Sequence, residues 1–166
     1  MTDFPKTKNH QEFEEKFLSM VVHGKKSTTY KFAFAKFLLE YCKQDRVEEH
    51  IEFSTIAKYF LEFFWPQVCK TKLNHAPRYT KKGGIKVPDI ITIIETEFSE
   101  SYYPKNYADY ERQEKTKIQN CIDAISEQCF NDVVWRFQKI ANLEPENPLF
   151  FKYQVVPGWS DPNRKD

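Results

Sequence analysis

A mainly α domain, about five helices around a core of aromatic rings with one short β element near the C-terminus, is the architecture to expect here. Three features lead to it. Apolar residues recur at spacings of three and four over most of the chain, the mark of helices that bury one face. Glycine is scarce, 4 residues in 166, so tight turns are few. Against that stand 15 Phe and 9 Tyr, and each fully buried Phe contributes about 1.5–3 kcal/mol, enough for the core to offset a charged surface without crosslinks.

The first helix is expected over roughly His10 to His23, on Phe13, Phe17, Leu18, Val21 and Val22, with Gly24 stopping it. A second runs from about Ser27 to Lys43, a hydroxyl between Ser27 and Thr29 serving as its cap. Its stripe of Tyr30, Ala33, Phe34, Phe37, Leu38 and Tyr41 is widened by Phe32, Ala35 and Leu39, which predicts a central position. Ser54 is the expected N-cap of a third helix carrying Ile56, Tyr59, Phe60, Phe63 and Phe64, and Pro66 kinks or ends it. Pro77, Gly83 and Gly84 make residues 70–86 a loop. The run VPDIITIIETEF restarts a helix with Pro88 in the first turn and Asp89 beside the positive terminus. Another spans Tyr107 to Glu127, with Ile118, Cys121, Ile122 and Ile125 inward. Beyond Asn131 the pattern weakens: NDVVWRF suits a helical turn or a strand, and PLFFKYQVV reads as a β-run. Trp65, Trp135 and Trp159 are packing residues on this reading. Residues 1–155 form the domain, and 156–166, with Pro157, Gly158 and Pro162, a tail or linker.

The stretch HGKKSTTYK invites comparison with a phosphate-gripping P-loop. Gly24 would be its second glycine, yet Ser19 stands where the first belongs and Lys26 separates Lys25 from Ser27. Helix periodicity also precedes it where a strand is needed, so a helix stop followed by a cap is the better account. Cys42, Cys69, Cys121 and Cys129 show no paired CxxC spacing, and Cys121 and Cys129 are expected as buried thiols rather than zinc ligands. Glu95, Glu97 and Glu100 belong to a solvated face, because positions two apart on a helix diverge. No metal or other cofactor is expected within this chain. With neither a signal peptide nor a long apolar run, the expected compartment is the cytoplasm, with no membrane partner.

Charge is the strongest local signal. Lys70, Lys72, Arg78, Lys81, Lys82 and Lys86 fall in residues 70–86, and no Asp or Glu lies between Glu62 and Asp89. Those six take a share of the 25 basic residues that leaves 19 against 24 acidic ones elsewhere, a balance of −5 inside a net charge of +1. Clustered cations of this kind suit the phosphates of nucleic acid. In that reading the lysines and arginine supply backbone affinity, Arg78 also being able to fork onto a guanine edge, and His75 and Tyr79 supply orientation. Lys25, Lys26 and Lys31 form a second basic spot at the start of the second helix, where free N–H groups also attract anions. The alternative belongs to a different class: a protein-interaction module that dimerises or docks through exposed aromatic residues, its lysine loop serving solubility.

Several segments in order carry a family resemblance. STTYKFAFAKFLLEY opening a long apolar helix, EFFWPQ ending another, the basic loop leading into KVPDIITIIE, and CFNDVVWRF followed by NPLFFKYQ together resemble the N-terminal region of bacterial HNH endonucleases. The resemblance covers most of residues 25–155. It implies a role in restriction or phage defence, with a helical domain placed ahead of a metal-dependent nuclease domain. An HNH site needs a histidine base and further ligands for metal and scissile phosphate. This chain has His10, His23, His50 and His75, spread over separate segments, with none after His75. No complete catalytic motif is present, no residue of the chain is assigned a catalytic role, and a divalent metal would enter only with a following HNH domain. The resemblance therefore implies a DNA-recognition or regulatory module whose partners are DNA and either a second copy of itself or another defence protein.

Overall fold

The computed structural model describes residues 10–23, 29–44, 48, 50–71, 78–79, 85–86, 89–98, 106–129 and 133–137. Among these the protein is mainly α-helical. Its helices are α1 (His10–His23), α2 (Tyr30–Tyr41), α3 (Phe53–Trp65), α4 (Asp89–Phe98), α5 (Tyr107–Gln113), α6 (Lys115–Gln128) and a single turn, α7 (Val134–Phe137). A π-helical turn, Pro66–Lys70, continues α3, and Arg78–Tyr79 (β1) pairs antiparallel with Ile85–Lys86 (β2).

The centre of the molecule is α3 against α6. On α3 the buried residues Ile56, Ala57, Phe60, Leu61, Phe64 and Trp65 fall in two adjacent stripes, so the helix presents a broad face. On α6 Ile118, Cys121, Ile122 and Ile125 are buried, as their spacing predicts, and Ser126 and Cys129 extend the seam. α4 adds Ile90, Ile91, Ile94 and Phe98, while α2 adds Phe34 and Phe37. Many ring edges meet ring faces: Phe34 lies 4.9 Å from Phe137 and Phe60 lies 6.0 Å from Phe64, both near perpendicular, an arrangement aromatic quadrupoles favour.

Local chemistry explains the element ends. Pro66 has no N–H to give the carbonyl four residues back, so α3 stops at Trp65 and the chain widens into a π turn. The Thr71 N–H closes that turn on the Pro66 carbonyl at 3.0 Å. Thr71 Oγ1 also donates to the carbonyls of Pro66 and Gln67, both at 3.2 Å. Of the two expected caps, one stands at its position without the bond and the other is displaced. Thr29 occupies the N-cap position of α2 without a side-chain cap bond, and Glu52, rather than Ser54, occupies that of α3.

Three further expectations need correction. The single helix expected over Tyr107–Glu127 is two, because Glu114 leaves the helical region with φ −122° and ψ 46°. The break lets Tyr110 face Trp65 at 5.0 Å and Phe98 at 5.4 Å while α6 aligns with α3. α2 is not enclosed around its girth: Phe32 is 45% exposed and Leu39 54%. Apolar content told how many hydrophobic side chains the helix carries, not how many neighbours cover them. Residues 70–86 are not loop throughout, since they hold the β1–β2 ladder. The β-run expected at 148–156 and the tail lie outside the described residues.

All four thiols are free, Cys42 exposed, Cys69 half-buried, Cys121 and Cys129 buried. Burial pushes Cys69 up to about 11 and Cys121 up to about 12, and raises Cys129 as well. Since thiolate and access together set reactivity, Cys42 is modified first by an alkylating reagent and Cys69 more slowly, with Cys121 and Cys129 reacting only on unfolding. Peptide mapping of timed alkylation reads this order; early labelling of Cys121 or Cys129 contradicts the packing of α6.

Candidate nucleic-acid interface

The basic segment begins and ends on packed structure. Its entry is the π turn, where Val68 is buried, and its exit is the first turn of α4, where Ile90 is buried; the two elements lie against each other. Tyr30 fastens the exit. Its hydroxyl, brought from α2, accepts the Ile90 N–H at 2.7 Å inside the core, satisfying one of the donors a helix start leaves unpaired. One Asp89 oxygen accepts from Gln128 Nε2 at 3.2 Å, which ties the same turn to the end of α6.

At the entry, the Lys70 ammonium donates to Asn106 Oδ1 at 2.6 Å. Asn106 stands at the N-cap of α5, where its side chain would ordinarily bond that helix; instead it holds the lysine. A neutral amide positions an ammonium without neutralising it. Between entry and exit, the ladder sets Arg78 opposite Lys86 and Tyr79 opposite Ile85, so two of the basic residues occupy one rung. Lys72, His75, Lys81 and Lys82 lie outside the described residues, as do Lys25 and Lys26.

Glu62, the last acidic residue before the segment, belongs to the body of the protein. Burial raises its carboxyl above the ordinary value; Lys58 pulls it down and Glu111 pushes it up. Lys58 Nζ lies 2.7 Å from Glu111 Oε1, joining α3 to α5, and that bond raises the Lys58 pKa. The second basic spot is smaller than expected. Lys31 is only 9% exposed and burial lowers its pKa, so it belongs to the buried side of α2 rather than to an anion-facing surface.

Sequence reasoning missed Asn106 and the hydroxyl role of Tyr30. Asn106 is 36 residues from Lys70, and nothing local to either announces the other. Tyr30 reads as one more ring in an apolar stripe, and no pattern tells a capping hydroxyl from a packing one. Among the described residues no group of three or more His, Cys, Asp or Glu is placed to hold a metal ion, and no helix is long and apolar enough to cross a membrane.

No protein-family model matches the chain, and neither a curated protein nor a solved structure matches it significantly.

Proposed function

We propose that this chain is a DNA-binding or regulatory module of the cytoplasm, gripping the duplex backbone through residues 70–86, as its resemblance to the front of HNH endonucleases suggests. The observation that carries the reading is charge segregation on an anchored segment: six basic residues, no acidic residue between Glu62 and Asp89, and both ends held on packed helices. Lys70 adds support, since its partner Asn106 is uncharged and leaves the ammonium attractive to phosphate. In this reading residues 1–155 form one module, with a short β element near its C-terminal end, and 156–166 lead away from it. Catalysis and a divalent metal would enter only if an HNH domain follows.

A salt titration tests the proposal. Fluorescence anisotropy with a labelled duplex is expected to show affinity falling steeply with salt, and Lys81→Ala with Lys82→Ala to flatten the slope of log K against log salt by about 0.9 for each phosphate no longer neutralised. Binding no tighter than that of a neutral control protein removes the proposal. One feature favours the protein-interaction reading: Leu18 and Val22 on α1 are 58% and 49% exposed, and α2 adds the open positions Phe32 and Leu39. Under that reading a concentration-dependent dimer appears by sedimentation and DNA binding does not.

A further inference from the structure

Leu18, Val22, Phe32 and Leu39 are the large apolar side chains that stand exposed among the described residues, and all four lie on α1 and α2, which touch each other. Scattered apolar residues on a surface are ordinary; four confined to two adjoining helices are not. Each pair occupies the side of its helix turned away from the core. Residues two apart on a helix point to roughly opposite sides, and the residues two away from these are buried: Met20 between Leu18 and Val22, Phe34 after Phe32, and Phe37 and Tyr41 on either side of Leu39. Charge then separates the two faces. Glu14 and Glu15, both exposed, stand four and three positions before Leu18 and so share its side of α1. On α2 the exposed Lys36 stands between Phe32 and Leu39 at the same spacings, and the exposed Lys43 follows Leu39 by four. Glu40, beside this ridge, is turned toward α3, where the Tyr59 hydroxyl donates to it at 2.6 Å. Lys36 Nζ lies 3.4 Å from Glu40, but both are exposed, and such a pair binds the lysine only weakly.

The outer face of α1 is thus apolar and acidic, and that of α2 apolar and basic. Placing α1 against α1 of another copy would bring two acidic faces together, and α2 against α2 two basic ones; α1 against α2 joins opposite charges beside the apolar residues. The spacing agrees. Glu15, Leu18 and Val22 are three and four apart, and Phe32, Lys36, Leu39 and Lys43 four, three and four, the seam spacing at which two helices interlock. We infer that a second copy of this chain covers these faces, α1 of each copy docking on α2 of the other in a two-fold dimer. The exchange is reciprocal because one helix pair falls short of the about 800 Å² that each partner of a stable complex contributes, and a two-fold axis supplies the contact twice. The dimer gives the protein-interaction reading its partner and its two faces. It holds whether or not residues 70–86 bind a duplex, since none of its residues lies there.

Charge reversal tests the pairing directly. The full chain is followed by sedimentation equilibrium over a range of concentrations at low salt, beside one form carrying Glu14→Lys with Glu15→Lys and another carrying Lys36→Glu with Lys43→Glu. The unchanged chain is expected to pass from 19.9 kDa to twice that mass as concentration rises. Each reversed form makes both of its contacts like-charged, so its dimer is expected to weaken about tenfold or more. An equimolar mixture of the two reversed forms is expected to regain the dimer, because α1 of one then meets α2 of the other with opposite sign at both contacts; that recovery also shows that both forms are folded. Leu18→Ser, exposed in the single chain, is expected to weaken the dimer while leaving the melting temperature of the dilute monomer unchanged. A chain that stays monomeric at every concentration, a mass that grows past two chains, or either reversed form dimerising as tightly as the unchanged chain overturns the inference. A mixture that fails to recover, from two forms that each keep the helical circular dichroism of the unchanged chain, overturns it as well. Residues 70–86 are untouched in every form, so duplex titration reads the DNA-binding proposal separately, and either can fail while the other stands.

Discussion

Trp65→Ala is expected to lower the melting temperature by roughly 6–20 °C. Trp65 is buried at the last position of α3, where two further helices bring rings onto it: Phe98 of α4 at 4.6 Å, and Tyr107 and Tyr110 of α5 at 5.7 and 5.0 Å. Truncating a buried Trp costs about 3–5 kcal/mol, the forfeited transfer energy plus the cavity left behind. A domain of ordinary stability has only about 5–15 kcal/mol in total, so a large part of it goes. The hole cannot close easily, because the backbone beside it is held by Pro66 and the π turn. Trp65→Phe keeps most of the packing and is expected to lose much less. Circular dichroism melts of both variants decide the matter; a shift under about 3 °C for Trp65→Ala would mean that these rings pack independently of one another.

Tyr30→Phe should cost about 1–3 kcal/mol, although it deletes one oxygen and leaves the ring in place. The ring stays beside Phe60 at 6.3 Å and Phe64 at 5.7 Å. What disappears is the acceptor for the Ile90 N–H, a donor on a fully buried residue. Leaving a buried donor unpaired costs more than the net worth of an average hydrogen bond. Two measurements are expected to move together: a lower melting temperature, and faster hydrogen exchange at the Ile90 amide than at amides in the middle of α6. Unchanged exchange at Ile90 would show that another group protects it.

The sequence stated much of the helical layout and little of its three-dimensional pairing. α1 runs from His10 to His23 as its periodicity indicates, α3 ends at Pro66, and the inward face of α6 was readable from Ile118, Cys121, Ile122 and Ile125. Each is a local property, a spacing or a missing N–H. The failures depend on partners remote in sequence. Phe32 and Leu39 are apolar at helical spacing and yet exposed, while Lys31 is charged and yet buried, because burial is decided by what docks on α2. Glu114 carries no breaker chemistry, so nothing local in the sequence announces its φ of −122° and ψ of 46°. Strands of two residues are too short to show alternation, so β1 and β2 were hidden inside a glycine-containing loop. At the candidate interface the charge was legible and its scaffolding was not: Lys70 was evident, its hold on Asn106 was not.

The two ends of the basic segment leave and rejoin the body side by side, between the π turn and α4. Both anchors of the stretch thus sit on one part of the core. Substitutions within that stretch can therefore alter its charge while the anchoring turns on either side, with Val68 and Ile90 buried, keep their packing.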